Sequence, residues 1–548
     1  MKLKKFTTLF LWGIIILFSY TNSFAQETYN WEHLPTIQEP DFKSDTSNIL
    51  DFGAKPDGIT LNTEQINKAI ADCSKKGGGV VLVPSGYWIT GPIKMQSNVN
   101  LHLAKNAFLQ FTKDFDQYKM VEGVYEGKPS ARNESPIMGT QLENIAITGF
   151  GTIDGNGDVW RMVKKDKLTE SEWKKKVASG GLLSEDGKTW FPSEKTKKAH
   201  EGNRTSVMEA GMKLSDFEDI KDYLRPNMLV LTECKKVLLE GVTFQNSPAW
   251  NLHPLICEDL TLRNLFIKNP DYAQNGDGID IESCKNVLIE GCTIDVGDDA
   301  ICIKSGKDKP GRDRGVPTEN VIVRNNIVYK GHGGFVVGSE MSGGAKNIFV
   351  SNCSFMGTDK GLRFKTTRGR GGVVENIYIK DINMVDIVHE AVMFNMYYWT
   401  KTPGSNEKMT IPPVTEETPQ FKDIYIENIV CNGAERGICI KGIPEMPVQN
   451  INMKNIFITT EKGVEITYAQ GVSLQNATIH TKDKSPLIYI ESSEKVVVDN
   501  LAFGKGIDTV FEINGESTKG IQLLNTDLHK EIKKATFQHE ATKQALLK

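Results

Sequence analysis

Short runs of alternating apolar and polar residues recur along most of this 548-residue chain, each opened by a polar turn residue. Asn286-Val287-Leu288-Ile289-Glu290, Asn320-Val321-Ile322-Val323-Arg324, Asn347-Ile348-Phe349-Val350-Ser351 and Asn376-Ile377-Tyr378-Ile379-Lys380 are versions of one unit. Asp423-Ile424-Tyr425-Ile426-Glu427, Asn450-Ile451-Asn452-Met453-Lys454 and Gly471-Val472-Ser473-Leu474-Gln475 continue it, and earlier copies start at Asn144 and Lys236. Alternation marks half-buried strands, and repeats at this interval mark a solenoid. With almost no helical patterning between copies, the pattern predicts an all-β chain, a single-stranded right-handed parallel β-helix. Each coil gives its alternate apolar residues to one continuous core and hydrogen-bonds to the coils on either side. A leucine-rich repeat lacks support because its Leu-x-x-Leu-x-Leu signature is missing.

The ends and interruptions read differently. Residues 1–25 carry Lys2, Lys4 and Lys5, an apolar run from Leu9 to Phe18 and a small-x-small site at Ser23-Phe24-Ala25, the pattern of a cleaved signal peptide. The run is too short to span a bilayer, so the expectation is a periplasmic or extracellular protein without stable membrane insertion. An extension over 26–47 precedes a cap and first strands over 48–95. There a helix is expected after Asn62, with Gln65 completing a capping box, Ile66, Ala69, Ile70 and Cys73 facing inward, and Gly77 ending it. The β-helix is expected over 96–527, interrupted at about 157–225 by a polar excursion containing Trp160, Trp173 and Trp190. That excursion is either a surface feature with local helices or a wall of a cleft offering aromatic rings to a ligand. A second wall is expected over about 399–420, and a helical, charged cap or tail over 528–548.

Composition narrows the function. Without the three signal-segment lysines the chain carries 62 basic and 69 acidic residues, a net charge of −7. Nucleic-acid binding has no support in that balance, and recognition of an anion must rest on local cations. The nine cysteines are odd in number and lie within or beside strands, which predicts interior thiols rather than a disulfide framework. No Cys/His spacing resembles a zinc site, so neither metal nor cofactor is expected. Oligomeric state is not legible.

Four motifs carry the chemistry: Asn275-Gly276-Asp277-Gly278, Gly297-Asp298-Asp299, Gly331-His332-Gly333 and Arg363-Phe364-Lys365. Asp277 to Asp298 is 21 residues, Asp299 to His332 is 33 and His332 to Arg363 is 31, steps close to one coil. Stacking should line the acids, the histidine and the two cations down one face, with Phe364 turned inward. Paired carboxylates suit glycoside hydrolysis, where one protonates the leaving oxygen and another activates water or attacks directly. Three crowded together cannot all ionise freely, so one should hold a proton near neutral pH.

These motifs, with the Phe52-Gly53-Ala54 strand entry, resemble glycoside hydrolase family 28, the polygalacturonases within the pectin lyase-like β-helix superfamily. Gly276 and Phe364 depart from the family's Asn-Thr-Asp and Arg-Ile-Lys. Gly338 to Gly344 and Arg368 to Gly372 look most like the bacterial exo-polygalacturonase branch. The resemblance implies a secreted hydrolase of α-1,4-galacturonosidic linkages in pectin, exo-acting and inverting. It implies Asp298 as general acid, Asp277 and Asp299 as general base, and His332 beside the acid. Arg363 and Lys365 would bind the substrate carboxylate, with Tyr397, Tyr398, Trp250 and His253 as further candidate contacts. The partner would be a pectic polysaccharide or oligogalacturonide. Competing readings are hydrolysis of rhamnogalacturonan or xylogalacturonan, a Ca²⁺-dependent pectate lyase, and a pectin-binding β-helix without catalysis. The lyase would draw ligands from Asp277, Asp280 and Glu282, although alternation sets Asp280 opposite Asp277.

Overall fold

The computed structural model describes residues 29–400 and 410–547. The expected signal segment lies outside them. Residues 29–34 form a small turn closed by two backbone hydrogen bonds between Asn30 and His33. From Pro35 onward the chain is one compact unit.

Its body is a parallel β-helix. A 14-stranded parallel sheet runs along one side, and a 23-stranded parallel sheet bends around the rest of each coil. Their inward side chains form one buried apolar cluster running from Ile49 to Ala545. The opening residues of the repeat explain how each coil turns. Asn144, Lys236, Asn286, Asn320, Asn347, Asn376, Asp423, Asn450 and Gly471 all have φ between 52° and 74°, the left-handed region that Asn, Asp and Gly enter most readily. Stacking then builds a side-chain ladder: Asn320 donates to Asn286 at 3.1 Å and Asn347 donates to Asn320 at 3.2 Å. A second ladder runs through Asn428, Asn455, Asn476 and Asn500 at 2.9–3.2 Å.

Helix α1 (Thr63–Lys75) seats Ile66, Ala69, Ile70 and Cys73 in that core. The expected capping box does not form. The Asn62 side chain is instead bonded to the backbone of Lys55, Thr60 and Ile89, which fixes the preceding loop. The far end also differs from expectation. Lys533–Gln538 is a strand parallel to Thr509–Asn514, so the last coil continues the sheet rather than turning helical.

The elements that shape the site are few. A hairpin of β1 (Met120–Tyr125) and β2 (Lys128–Asn133) leaves the solenoid before the excursion. The excursion holds α2 (Glu170–Ala178), α3 (Glu194–Glu201) and a small three-stranded antiparallel sheet. It is knitted to the hairpin: Ala131 N–H donates to Ser206 at 2.8 Å, and Ala131 shares an apolar cluster with Ala199, Phe217, Ile220 and Leu224. The excursion's tryptophans serve packing, not a sugar platform. Trp160 lies edge-on to Phe115 and Tyr118, and Trp173 and Trp190 pack with Val163. Successive strands β3 (Ile279–Glu282), β4 (Asp299–Lys304), β5 (Gly333–Val337), β6 (Leu362–Lys365) and β7 (Glu390–Asn395) of the 14-stranded sheet carry the chemistry. Of the second expected wall, Trp399 is exposed and residues 401–409 lie outside the described chain. All nine cysteines are buried and unpaired.

Candidate active site

Asp277 and Asp299 sit where the chain bends into β3 and β4, so strand alternation does not set their direction. Asp277 therefore does not oppose Asp280, as alternation would require. Both carboxylates meet Lys304, whose Nζ is 2.9 Å from Asp280, 3.6 Å from Asp277 and 3.6 Å from Glu340. Glycines make the bends: a Cβ on Gly278 would lie 2.5 Å from the Ala300 carbonyl, and one on Gly297 would lie 2.7 Å from the Pro270 carbonyl. One oxygen from each of Asp277, Asp298 and Asp299 lies within 4.8 Å of the other two. This is the single group of metal-ligand type among the described residues, and Lys304, Arg363 and Lys365 already supply positive charge around it.

The cations do not stack vertically on the acids as the sequence steps suggest. Arg363 pairs in register with Val336, and Asp299 with Gly333. Long side chains span the difference. Arg363 Nη1 reaches Asp299 Oδ1 at 2.9 Å, and Lys365 Nζ reaches Oδ2 at 2.5 Å, while Phe364 packs inward against Phe394. Both oxygens of Asp299 are thereby held. Burial alone would raise its pKa, but Lys365 and Arg363 outweigh that and hold it well below the usual carboxylate range.

Asp277 is the opposite case. Burial, followed by the like charges of Asp280 and Asp298, pushes its pKa well above the ordinary value despite Lys304. The surroundings of Asp277 thus favour its protonated form. Asp298 is the accessible member, with its side chain 22% exposed, and His332 Nδ1 lies 3.0 Å from its Oδ1. That hydrogen bond leads the causes raising the His332 pKa, and Asp359 stands 3.7 Å from Nε2. The Asp298 carboxyl and the His332 imidazole are thus joined by one hydrogen bond at the cavity.

A cavity of about 320 Å³ opens over this group, bordered by all three aspartates, His332, Lys304 and Lys365. Tyr398 and Trp250 border it as expected. Tyr398 lies over Lys365, 4.9 Å from ring centre to Nζ, and Trp250 covers Lys304 at 3.6 Å. Tyr397 does not; it is buried in the apolar core, because the chain turns after β7 and sends the two tyrosines apart. His253 is also beneath the site rather than in it. It is fully buried, with Nε2 2.8 Å from Glu282, which Arg314 also meets at 2.5 Å. Against the upward push of burial, those partners bring Glu282 to about 2. With Glu282 and Asp280 committed to cations, the ligand set of a Ca²⁺ lyase is not assembled.

Several bordering residues were not singled out from sequence: Lys304, Glu126, Lys167, Lys307, Tyr272 and Glu340. Lys304 had a signal, since it closes the strand that Asp299 opens and faces outward with Cys302. The others come from the hairpin, the excursion and loops, where no repeat sets register.

Comparison with known proteins agrees with this geometry. The family model "Glycosyl hydrolases family 28" matches residues 166–467, and "Rhamnogalacturonase A/epimerase, pectate lyase-like" matches residues 46–204. The chain is 31% identical to an exopolygalacturonase of Thermotoga maritima of known structure, covering 85% of this chain and 94% of that one, with a TM-score of 0.65. It is 28% identical to a probable polygalacturonase of Vitis vinifera, covering 76% of this chain and 74% of the relative. An endo-polygalacturonase of Pectobacterium carotovorum is also 28% identical, covering 83% and 95%. The fold and the paired carboxylates are those of a β-helical glycoside hydrolase. The chain belongs to glycosyl hydrolase family 28.

Proposed function

We propose that this protein hydrolyses α-1,4 links between galacturonate residues of pectin, acting from a chain end with inversion. The observation that carries the reading is one cavity holding an accessible Asp298–His332 pair opposite Asp277 and a doubly clamped Asp299. Asp298 protonates the leaving glycosidic oxygen, and His332 replenishes its proton. Asp277, once ionised, is the stronger base because its pKa is raised, and it takes a proton from the attacking water. Asp299 orients that water and contributes negative charge beside the developing oxocarbenium ion. Arg363 and Lys365 bring two positive charges to one aspartate, leaving one to meet the sugar's carboxylate. The hairpin and the excursion wall one side of the cleft, which favours release of monomer or dimer from a chain end. The described residues contain no helix long and apolar enough to cross a membrane, and export rests on the pattern of residues 1–25.

The close approach of the carboxylates favours a second reading. Oxygens within 4.8 Å fall below the roughly 6.5–9.5 Å usual for inversion and nearer the roughly 5 Å usual for retention. Against retention, direct attack by Asp299 would have to break both of its ion pairs. The configuration of the first product separates the two. Digestion of polygalacturonate and of rhamnogalacturonan oligomers, with products separated by chromatography, tests the substrate. Saturated galacturonate or its dimer is expected from the first alone. An ultraviolet-absorbing unsaturated product, lost on adding chelator, would indicate a lyase, and binding without cleavage an adhesive β-helix.

A further inference from the structure

Beside the catalytic cavity lies a second one of about 340 Å³, and the two share Glu126, Asn275 and Lys307 in their walls. It is built where β1, β2 and the end of the excursion meet the bend that carries Asp277. Five basic residues border it: Lys128, Arg132, Arg204, Arg225 and Lys307. Three have acidic partners. Lys128 pairs with Asp308 at 2.9 Å, Arg204 with Asp219 at 3.0 Å and Lys307 with Glu126 at 3.1 Å.

Arg132 and Arg225 do not. Among the described residues neither forms an ion pair. Arg225 donates to the carbonyls of Pro248 at 3.0 Å and Gln274 at 2.8 Å, and to the Asn275 side chain at 2.9 Å. Arg132 donates to the Arg225 carbonyl and lies 3.8 Å over the Tyr125 ring, with 8% of its surface exposed. Neutral acceptors satisfy hydrogen bonds but leave the charge. Burial, reinforced by the neighbouring Arg225, brings the Arg132 pKa down to about 10, so Arg132 remains a cation at neutral pH. A buried cation beside a half-buried one, neither with an anion, is costly, and such sites persist where a ligand completes them.

We propose that this cavity binds the carboxylate of the uronate next to the one being cleaved, through Arg132 and Arg225. The inference rests on the galacturonan reading and sharpens it: the enzyme selects consecutive uronates. In a chain alternating uronate with a neutral deoxy sugar, the neighbouring position would offer nothing to the two guanidiniums. Thr205, Ser206 and Tyr223 on the same walls supply hydroxyl partners for the sugar ring.

The test compares two synthetic galacturonate trimers. One keeps all three carboxylates. The other keeps only that at the point of cleavage, the rest being reduced to the primary alcohol. Wild-type KM should be lower for the first by about tenfold or more, the scale of one charge-assisted contact. In Arg132→Gln and, separately, Arg225→Gln, the ratio of the two KM values should collapse toward one. Should Arg225→Gln disturb the bend at Asn275 and fail to fold, Arg225→Lys, which keeps the charge but not the fork, should still reduce the ratio. Equal wild-type KM values for the two trimers would overturn this proposal alone, as would variants that keep the full ratio. Cleavage of neither trimer by wild type would remove the galacturonan reading and this one with it.

Discussion

In the proposed mechanism Asp298 is the residue on which hydrolysis turns, because it is the accessible member of the acidic group and lies 3.0 Å from His332 Nδ1. Asp298→Asn removes the carboxyl group with little change in volume, and kcat should fall by about a hundredfold or more. Substrate binding, read by calorimetry, should persist; turnover near a tenth of wild type would reassign the acid. The pH profile of kcat/KM should be bell-shaped. As pH falls through the raised pKa of Asp277 the base is lost, and as pH rises through the raised pKa of His332 the imidazolium that resupplies the acid is lost. His332→Gln should therefore move the alkaline limb to lower pH; an unmoved limb would separate His332 from the chemistry. Asp299 contributes to the fold as well. Its folded pKa lies below the unfolded value of about 3.9, so its stabilisation is present above that pH and lost as pH falls through the folded value. Lys365→Met should cost about 3 kcal/mol, the low end for a broken buried pair because Arg363 remains, and should raise the pH of acid unfolding. The identity of these residues was legible in the motifs. Their protonation was not, because it depends on Lys304 and on burial, neither of which the motif spacing reports.

At the scale of the element, the repeat was readable because its opening residue has a geometric task. Each coil enters the left-handed region where the repeat opens and again five residues on, and an Asn there can also bond its counterparts in the neighbouring coils. Asn320→Gly keeps the backbone and loses two ladder bonds, whereas Asn320→Ala loses the bonds and strains the turn. Asn320→Ala should be the less stable by about 1 kcal/mol, measured by chemical denaturation. Equal losses would mean that the turn conformation carries no preference. Alternation failed as a guide only where strands begin or end. Asp277 precedes β3, so its side chain joins Asp280 at Lys304, and the turn after β7 sends Tyr397 into the core while Tyr398 faces the cavity. The excursion's tryptophans were legible as unusual but not as packing residues, since their partners Phe115, Tyr118 and Val163 lie in segments without a repeat.

For the whole molecule, stacking is what turns four weak motifs into a site. Strands β3 to β6 are neighbours in one sheet, and long cationic side chains tolerate the register differences between coils. The hairpin and excursion add what a bare solenoid lacks, a wall at one side of an open groove. That wall predicts slow loss of viscosity in a long pectate solution relative to reducing ends formed; a rapid early drop would show internal cleavage. Proton NMR of the first minutes of polygalacturonate digestion tests the central claim most directly. The account predicts saturated galacturonate monomer or dimer from the first spectrum, with the β anomer appearing before the α. Unsaturated sugar signals, long oligomers ahead of short ones, or an α anomer formed first would contradict it.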